Sequence, residues 1–150
     1  MKTYKWIVAV LVWGGPLCQT WATNPIKIKC GDLWAIFSEK PSSVKLIDCK
    51  ESEGQRLATA TYRILPIDQR RIENLLVKRY GMGSLVKTTC NWEPEKGKTG
   101  TIISKRLALI DPKYSMTISM WAESDMEVNV FKGKEQEKSY YCVVIIWDEI

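Results

Sequence analysis

The sequence YYCVVIIW, residues 140–147, indicates a β-strand in the interior of a sheet. Its residues are apolar at both alternating positions, which is typical of a strand that is central or covered on both faces. This run is the longest apolar stretch after residue 22, and it is far shorter than the ~20 apolar residues that a membrane-spanning helix requires. The fold therefore includes a sheet, and we expect no membrane insertion of residues 23–150.

A second strand is predicted at residues 114–120, YSMTISM, and this strand has one solvated face. The apolar side chains of Tyr114, Met116, Ile118 and Met120 alternate with serine and threonine. Strict alternation places alternate side chains on opposite faces of a strand, so one face of this strand belongs to the core and the other to solvent.

Four further segments have strand character. Residues 44–49 and 57–65 flank a polar turn around Gly54 and predict a hairpin. Residues 85–92 predict another strand, and residues 101–110 carry a weaker strand signal. The chain therefore contains more strands than helices.

Two helices are predicted, one before the first of these strands and one between the strands at residues 57–65 and 85–92. Residues 68–80, DQRRIENLLVKRY, have helical spacing of apolar residues, with Asp68 as a candidate N-cap and Gly81 as the stop. Residues 31–40 predict a short helix that ends at Pro41. The element order predicts an α+β fold, with a mostly antiparallel sheet and two helices packed on one face.

The first 22 residues have the pattern of a secretory signal peptide. Lys2 and Lys5 precede the apolar run WIVAVLVW at residues 6–13. The residues TWA at positions 20–22 supply a cleavage site with a small residue on each side of a tryptophan. Cleavage after residue 22 would leave residues 23–150, which suit a single α+β domain. The sequence thus predicts an exported protein, either periplasmic or secreted.

The charge pattern argues against nucleic-acid binding. The chain has 22 Lys and Arg against 17 Asp and Glu, and removing the lysines at positions 2 and 5 leaves 20 against 17. Basic residues are also interspersed with acidic ones, as in KEQEK at residues 134–138, which is typical of a solvated surface. We therefore expect no nucleic-acid partner.

Four cysteines remain after residue 22, namely Cys30, Cys49, Cys90 and Cys142. An even number in an oxidising compartment predicts two disulfides, for which three connectivities exist. The close pair Cys30 and Cys49 would link the first helix to the next strand, and Cys90 would then pair with Cys142. Zinc is not expected, because no Cys-x-x-Cys pair and no histidine is present. No other metal or cofactor is predicted.

The absence of histidine also excludes most familiar catalytic centres, because histidine is the commonest general base. No catalytic residue is assigned, and carboxylate chemistry is what remains open to an enzyme. Trp92 with Glu93, and Trp121 with Glu123, are the candidate surface-binding residues, because aromatic side chains often adjoin carboxylates in sugar sites.

Residues spread over most of the chain after residue 22 match the pattern of a known family. They are Cys30, Leu33, Pro41, Ile47-Asp48-Cys49, Ala60-Thr61-Tyr62-Arg63, Ile72-Glu73, Leu75, Lys78, Tyr80-Gly81-Met82, Cys90-Asn91-Trp92-Glu93 and Ile118-Ser119-Met120. On these residues the sequence resembles a domain of unknown function that occurs in small exported bacterial proteins. That pattern has two adjacent cysteines and a glycine before a tryptophan, where this chain has Thr89, Cys90 and Asn91, so the partner of Cys90 stays open. The resemblance implies a bacterial exported protein and assigns no catalytic residues.

These observations favour an exported, non-catalytic interaction module, such as an inhibitor or immunity-type protein that binds another exported or envelope protein. Two alternatives stay open. The first is a small carboxylate-dependent enzyme that acts on envelope glycans, which needs two carboxylates about 5–10 Å apart in a cleft. The second is a small-ligand carrier, which needs an apolar pocket between helices and sheet.

Overall fold

The computed structural model describes residues 27–52, 54–89, 91–123 and 140–149, so the predicted signal peptide at residues 1–22 lies outside the described part. The described residues form a seven-stranded antiparallel sheet with three α-helices, and the predicted α+β fold is confirmed. The strands are β1 Lys45–Glu51, β2 Arg56–Ile64, β3 Leu85–Lys87, β4 Asn91–Pro94, β5 Gly100–Thr101, β6 Tyr114–Glu123 and β7 Tyr140–Asp148. The helices are α1 Leu33–Phe37, α2 Gln69–Tyr80 and α3 Lys105–Ile110, with 3₁₀ turns at Pro66–Asp68 and Glu95–Gly97.

The strand order of the sheet is β1-β2-β7-β6-β4-β3, and β5 pairs with β6. The apolar strand β7 thus lies between β2 and β6, which confirms the prediction of a central strand for residues 140–147. The predicted hairpin is also confirmed, because β1 and β2 pair antiparallel in sequence order.

The helices pack on one face of the sheet, which forms the core. On β6 the predicted alternation is confirmed, because Met116, Ile118 and Met120 are buried there. The helices contribute Leu33, Trp34, Ile72, Leu76, Tyr80 and Leu107 to the same cluster, and β2 and β7 contribute Ala58, Ala60, Tyr62, Ile64, Cys142, Val144 and Ile146.

The opposite face of the sheet is here named the open face. Among the described residues, its strand positions are half-buried, whereas the alternating positions toward the helices are buried. The open face consists of Thr59 and Thr61 of β2, Ser115, Thr117, Ser119 and Trp121 of β6, and Tyr141, Val143, Ile145 and Trp147 of β7.

Helix α2 forms where the spacing predicted it. Ile72, Leu76 and Tyr80 repeat every four residues and are buried against the sheet. Gly81 ends the helix with a φ of 75°, a conformation that glycine adopts without steric cost. The predicted N-cap role of Asp68 is wrong, because its carboxylate accepts hydrogen bonds from the Arg71 guanidinium instead of from a backbone N–H group.

Helix α1 is tied to the edge strand β1 by a disulfide between Cys30 and Cys49, which confirms the predicted close pair. The Asp32 side chain caps the helix by accepting a hydrogen bond from the Ala35 N–H at 3.2 Å. Trp34 of the helix is fully buried. The short helix is therefore held by both a covalent link and core packing.

The predicted strand over residues 101–110 is wrong for most of its length. Only Thr101 lies in a strand, and α3 occupies residues 105–110. The Ser104 hydroxyl caps this helix by accepting a hydrogen bond from the Leu107 N–H, and Leu107 is buried. Local capping and one buried leucine thus determine a helix where apolar composition favoured a strand.

The predicted single strand at residues 85–92 is instead a hairpin of β3 and β4. The Thr88 hydroxyl donates a hydrogen bond to the Asn91 carbonyl at 2.9 Å and accepts one from the Asn91 N–H at 3.2 Å. These bonds satisfy backbone groups in the turn, which has none of the glycine or proline residues that usually mark a hairpin.

The second predicted disulfide is wrong for Cys142, which is a free, buried cysteine on the helix side of β7. Cys90 lies outside the described residues. Its neighbour Asn91 pairs with Glu123, whereas Cys142 pairs with Met120, so Asn91 is two strands and three residues away from Cys142.

Gly100 of β5 is a position where a side chain would disturb the core. An added Cβ would lie 2.9 Å from the Tyr80 Cβ and 3.1 Å from the Ile118 Cγ2. We expect Gly100→Ala to lower the free energy of unfolding by about 1–3 kcal/mol, as measured by urea denaturation. Gly31→Ala is the matched control, because its added Cβ would lie 3.4 Å from a flexible Ile36 side chain. Equal effects of the two substitutions would contradict the close packing of β5 on α2.

Candidate functional site

The four predicted surface residues divide between the two faces of the sheet. Trp92 pairs with the buried Ala122 and therefore lies on the helix side of β4, where it is half-buried. Glu93 and Trp121 lie on the opposite side, at the open face. Glu123 pairs through its backbone with Asn91, and its side chain lies outside the described part.

Glu93 and Trp121 line one hollow at the junction of β4 and β6. The hollow has a volume of about 350 Å³ and is open to solvent. Non-local strand pairing creates this site, because the Trp92–Ala122 register brings β4 alongside the end of β6. The hollow is lined by Asn91, Glu93, Pro94, Gly97, Ser119 and Trp121.

The indole of Trp121 is held in place by Tyr141 of β7. The two rings are stacked with centroids 4.6 Å apart and an angle of 26° between their planes. Tyr141 covers the indole on the side of β7, and on the side of β4 the indole borders the hollow. The hollow thus has an aromatic side chain in its wall.

Glu93 supplies the carboxylate of this hollow. Its side chain is exposed, and its Oε1 lies 3.1 Å from the Thr88 hydroxyl, whose single proton is shared between Glu93 and the Asn91 carbonyl. Within the described ranges, no Lys or Arg side chain forms a salt bridge with Glu93. Among the described residues, the Glu93 carboxylate therefore has a neutral hydroxyl as its neighbour and no cationic partner.

A second hollow, of about 360 Å³, lies at the other end of the open face. Its wall includes Trp147, whose indole Nε1 donates a hydrogen bond to the Thr117 hydroxyl at 2.9 Å. Arg56 lies over the Trp147 ring, with its Cζ 5.1 Å from the ring centroid. The hollow is lined by Gln55, Ser115, Thr117, Trp147, Asp148 and Glu149.

Between the two hollows, β7 presents a row of apolar and aromatic side chains to the open face. Tyr141, Val143, Ile145 and Trp147 alternate along the strand and are all half-buried. The sequence predicted that residues 140–147 form a strand that is central or covered on both faces, and it did not identify this row as a candidate surface. The available signal was the small number of helices, which suffices to cover only one face of a sheet.

Among the described residues, the polar groups at the two hollows of the open face are carboxylates, hydroxyls, amides, the indole N–H of Trp147 and the guanidinium of Arg56 beside it. No group of three His, Cys, Asp or Glu side chains in the described ranges is arranged to hold a metal ion. Burial raises the pKa of the Cys142 thiol, which keeps it in the unreactive protonated form. The first hollow contains one described carboxylate, whereas glycoside hydrolysis ordinarily requires two.

In the part of the chain that the structure describes, no helix has both the length and the apolar character needed to cross a membrane. Both hollows lie on the open face, whereas a carrier of the predicted kind would hold its ligand between the helices and the sheet.

The chain was compared with models of known protein families. The family model for a domain of unknown function, DUF4952, matches residues 19–92. This confirms the resemblance to a domain of unknown function that the sequence pattern indicated. The matched range includes α1, α2 and β1–β3, whereas Glu93 and Trp121 of the first hollow lie beyond it. No curated protein and no solved structure matches the chain.

Proposed function

We propose that this protein is an exported, non-catalytic module that binds another protein through its open face. Its residues 19–92 match a domain of unknown function, which leaves the function to be inferred from the structure. Inhibitors and immunity-type proteins are functions of this class. The observation that carries the proposal is the row of Tyr141, Val143, Ile145 and Trp147 on the open face.

This row differs from the solvated face of an ordinary antiparallel sheet, where polar residues alternate with buried apolar ones. Tyrosine and tryptophan are enriched at the centres of protein interfaces, because they bury a large apolar area with few rotatable bonds. Serine and threonine flank the row on both neighbouring strands and can donate hydrogen bonds at its rim. The composition therefore fits a protein-binding surface with an apolar centre and a polar surround.

Export is the second part of the proposal. The Cys30–Cys49 disulfide supports it, because disulfides persist mainly in oxidising compartments. The signal-like pattern at residues 1–22 supports it further and makes the periplasm or the cell exterior the proposed location. The proposed partner is accordingly another exported or envelope protein.

The proposal is tested by capturing partners from an envelope extract of the source cells on immobilised, oxidised residues 23–150, followed by mass spectrometry. Ile145→Lys places a charge in the middle of the open face, and we expect it to reduce retention of a stoichiometric partner at least about tenfold. Ile67→Lys is the matched control, because Ile67 is 89% exposed in the turn before α2.

Retention by the unchanged protein and by Ile67→Lys, with loss in Ile145→Lys, would support the proposal. Circular dichroism of each variant establishes that the sheet is intact. If no stoichiometric partner is retained, or if Ile145→Lys retains it as well as the control does, the open face is not the binding surface.

A further inference from the structure

The hollow of Glu93 and Trp121 combines two features that attract the same chemical group. The carboxylate of Glu93 has no cationic partner among the described residues. Trp121, whose ring is stacked on Tyr141, lines the same hollow. A carboxylate favours any cation, and an indole face favours a cation that is flat or weakly hydrated.

The other end of the open face shows how this sheet binds such a group. There the guanidinium of Arg56 lies 5.1 Å from the centre of the Trp147 ring, and Asp148 and Glu149 line the adjoining hollow. Trp147 therefore already has an arginine of its own chain over its ring. Trp121 occupies the corresponding place on β6 at the opposite end, and within the described residues no Lys or Arg lies over its ring.

We propose that the hollow between β4 and β6 accommodates an arginine side chain of the partner protein. The guanidinium would stack on the ring of Trp121 opposite Tyr141 and donate hydrogen bonds to Glu93, and Asn91 and Ser119 belong to the same lining. This inference rests on the proposed function, since it names the chemistry by which the open face selects its partner.

Arginine is preferred to lysine at this hollow for a geometric reason. A guanidinium is planar, so it can stack on an indole and still direct N–H groups toward a carboxylate, whereas an ammonium is a compact and strongly hydrated charge. The exposed residues Lys96 and Lys98 adjoin Gly97 of the lining and reduce the negative potential. A single arginine is accordingly expected to bind weakly, with a Kd of roughly 1–10 mM.

The test uses N-acetyl-arginine amide as the probe and residues 23–150 as the protein. Binding is followed by NMR through the indole N–H signals of Trp121 and Trp147 in one titration. We expect the Trp121 signal to shift with saturation and the Trp147 signal to shift little, because its ring already holds Arg56. The neutral analogue N-acetyl-citrulline amide should bind at least about fivefold more weakly, since it keeps the shape and lacks the charge.

Glu93→Gln is the decisive variant, because it keeps the size of an exposed side chain and removes its charge. We expect it to weaken binding of the arginine probe about tenfold. Glu95→Gln is the matched control. Glu95 lies two residues further along the chain, is exposed and does not line the hollow, so its substitution should leave the affinity within about twofold. The titration extends to about 50 mM probe, which is enough to detect a site in the expected range of Kd. The absence of a saturable shift, or an unchanged affinity in Glu93→Gln, would overturn the inference.

Two further outcomes separate this inference from the proposed function. Equal binding of the arginine and citrulline probes would overturn it in favour of a neutral hydrogen-bonding ligand such as a sugar. If a captured partner is lost in Ile145→Lys but retained at full affinity by Glu93→Gln, the open face binds a protein and the arginine site is wrong. If the arginine probe binds as expected and no partner is captured, the site stands and the partner proposal fails.

Discussion

Replacement of Trp34 with alanine is expected to lower the free energy of unfolding by about 3–5 kcal/mol, the largest effect of any single substitution proposed here. Trp34 is fully buried and contacts two tyrosines edge-on, with ring centroids 5.9 Å from Tyr62 and 6.2 Å from Tyr80. Its backbone N–H donates a hydrogen bond to the Tyr62 hydroxyl at 2.8 Å, and its indole Nε1 donates to the Tyr80 hydroxyl at 3.4 Å.

The cost arises because three elements meet at this side chain. Trp34 lies on α1, Tyr62 on β2 and Tyr80 at the end of α2, so its removal leaves a cavity between both helices and the sheet. Burial also raises the pKa of Tyr62, so this hydroxyl stays protonated throughout the range in which the protein is handled. Urea denaturation at neutral pH measures the loss.

Ile36→Ala is the control for this substitution. Ile36 lies in the same five-residue helix but is 41% exposed, so its truncation should cost roughly 1 kcal/mol or less. A loss below about 1 kcal/mol for Trp34→Ala, or equal losses for the two variants, would show that α1 does not anchor the core as described.

Removal of the Cys30–Cys49 disulfide is expected to lower the free energy of unfolding by about 3 kcal/mol. The two residues are separated by 19 positions, and closing a loop of that size in the unfolded chain accounts for this value in the chain-entropy description. The variant is Cys30→Ala with Cys49→Ala, compared with the unchanged protein under non-reducing conditions by chemical denaturation.

Reductant provides an internal control for the disulfide. The unchanged protein in reductant should become about as unstable as the double variant, whereas the double variant should not respond to reductant. The N-terminal end of the described chain has a second attachment that uses no sulfur atom, so the double variant and the reduced protein can both form it. Glu51 accepts a hydrogen bond from the Cys30 N–H and forms a salt bridge with Lys27. Equal stability of the oxidised and reduced proteins would contradict a stabilising role for the disulfide.

Local patterns were sufficient to predict the central part of the fold. The alternation from Tyr114 to Met120 and the continuous apolar run at residues 140–147 identified β6 and β7, because each pattern reports directly on burial of alternate side chains. The helix at residues 69–80 was equally readable, since its buried residues repeat every four positions and Gly81 ends it.

The remaining elements depend on contacts that a local pattern does not report. Residues 101–110 have strand-like composition, yet Ile103 and Leu109 are 92% and 86% exposed, so hydrophobicity there does not indicate burial. The candidate site likewise depends on contacts between residues that are distant in the sequence. Glu93 and Trp121 were selected separately, and only the pairing of β4 with β6 brings them into one hollow.

The position of β7 also determines when the sheet can form. β7 is the last of the described strands in the sequence, yet it is the only connection between the β1–β2 hairpin and the strands from β3 to β6 in the described sheet. A ribosome must therefore complete residues 140–148 before the two parts can join, and long-range pairing of this kind slows folding. Until residues 140–148 have been synthesised, the β1–β2 hairpin and the strands from β3 to β6 lack the strand that joins them in the described sheet.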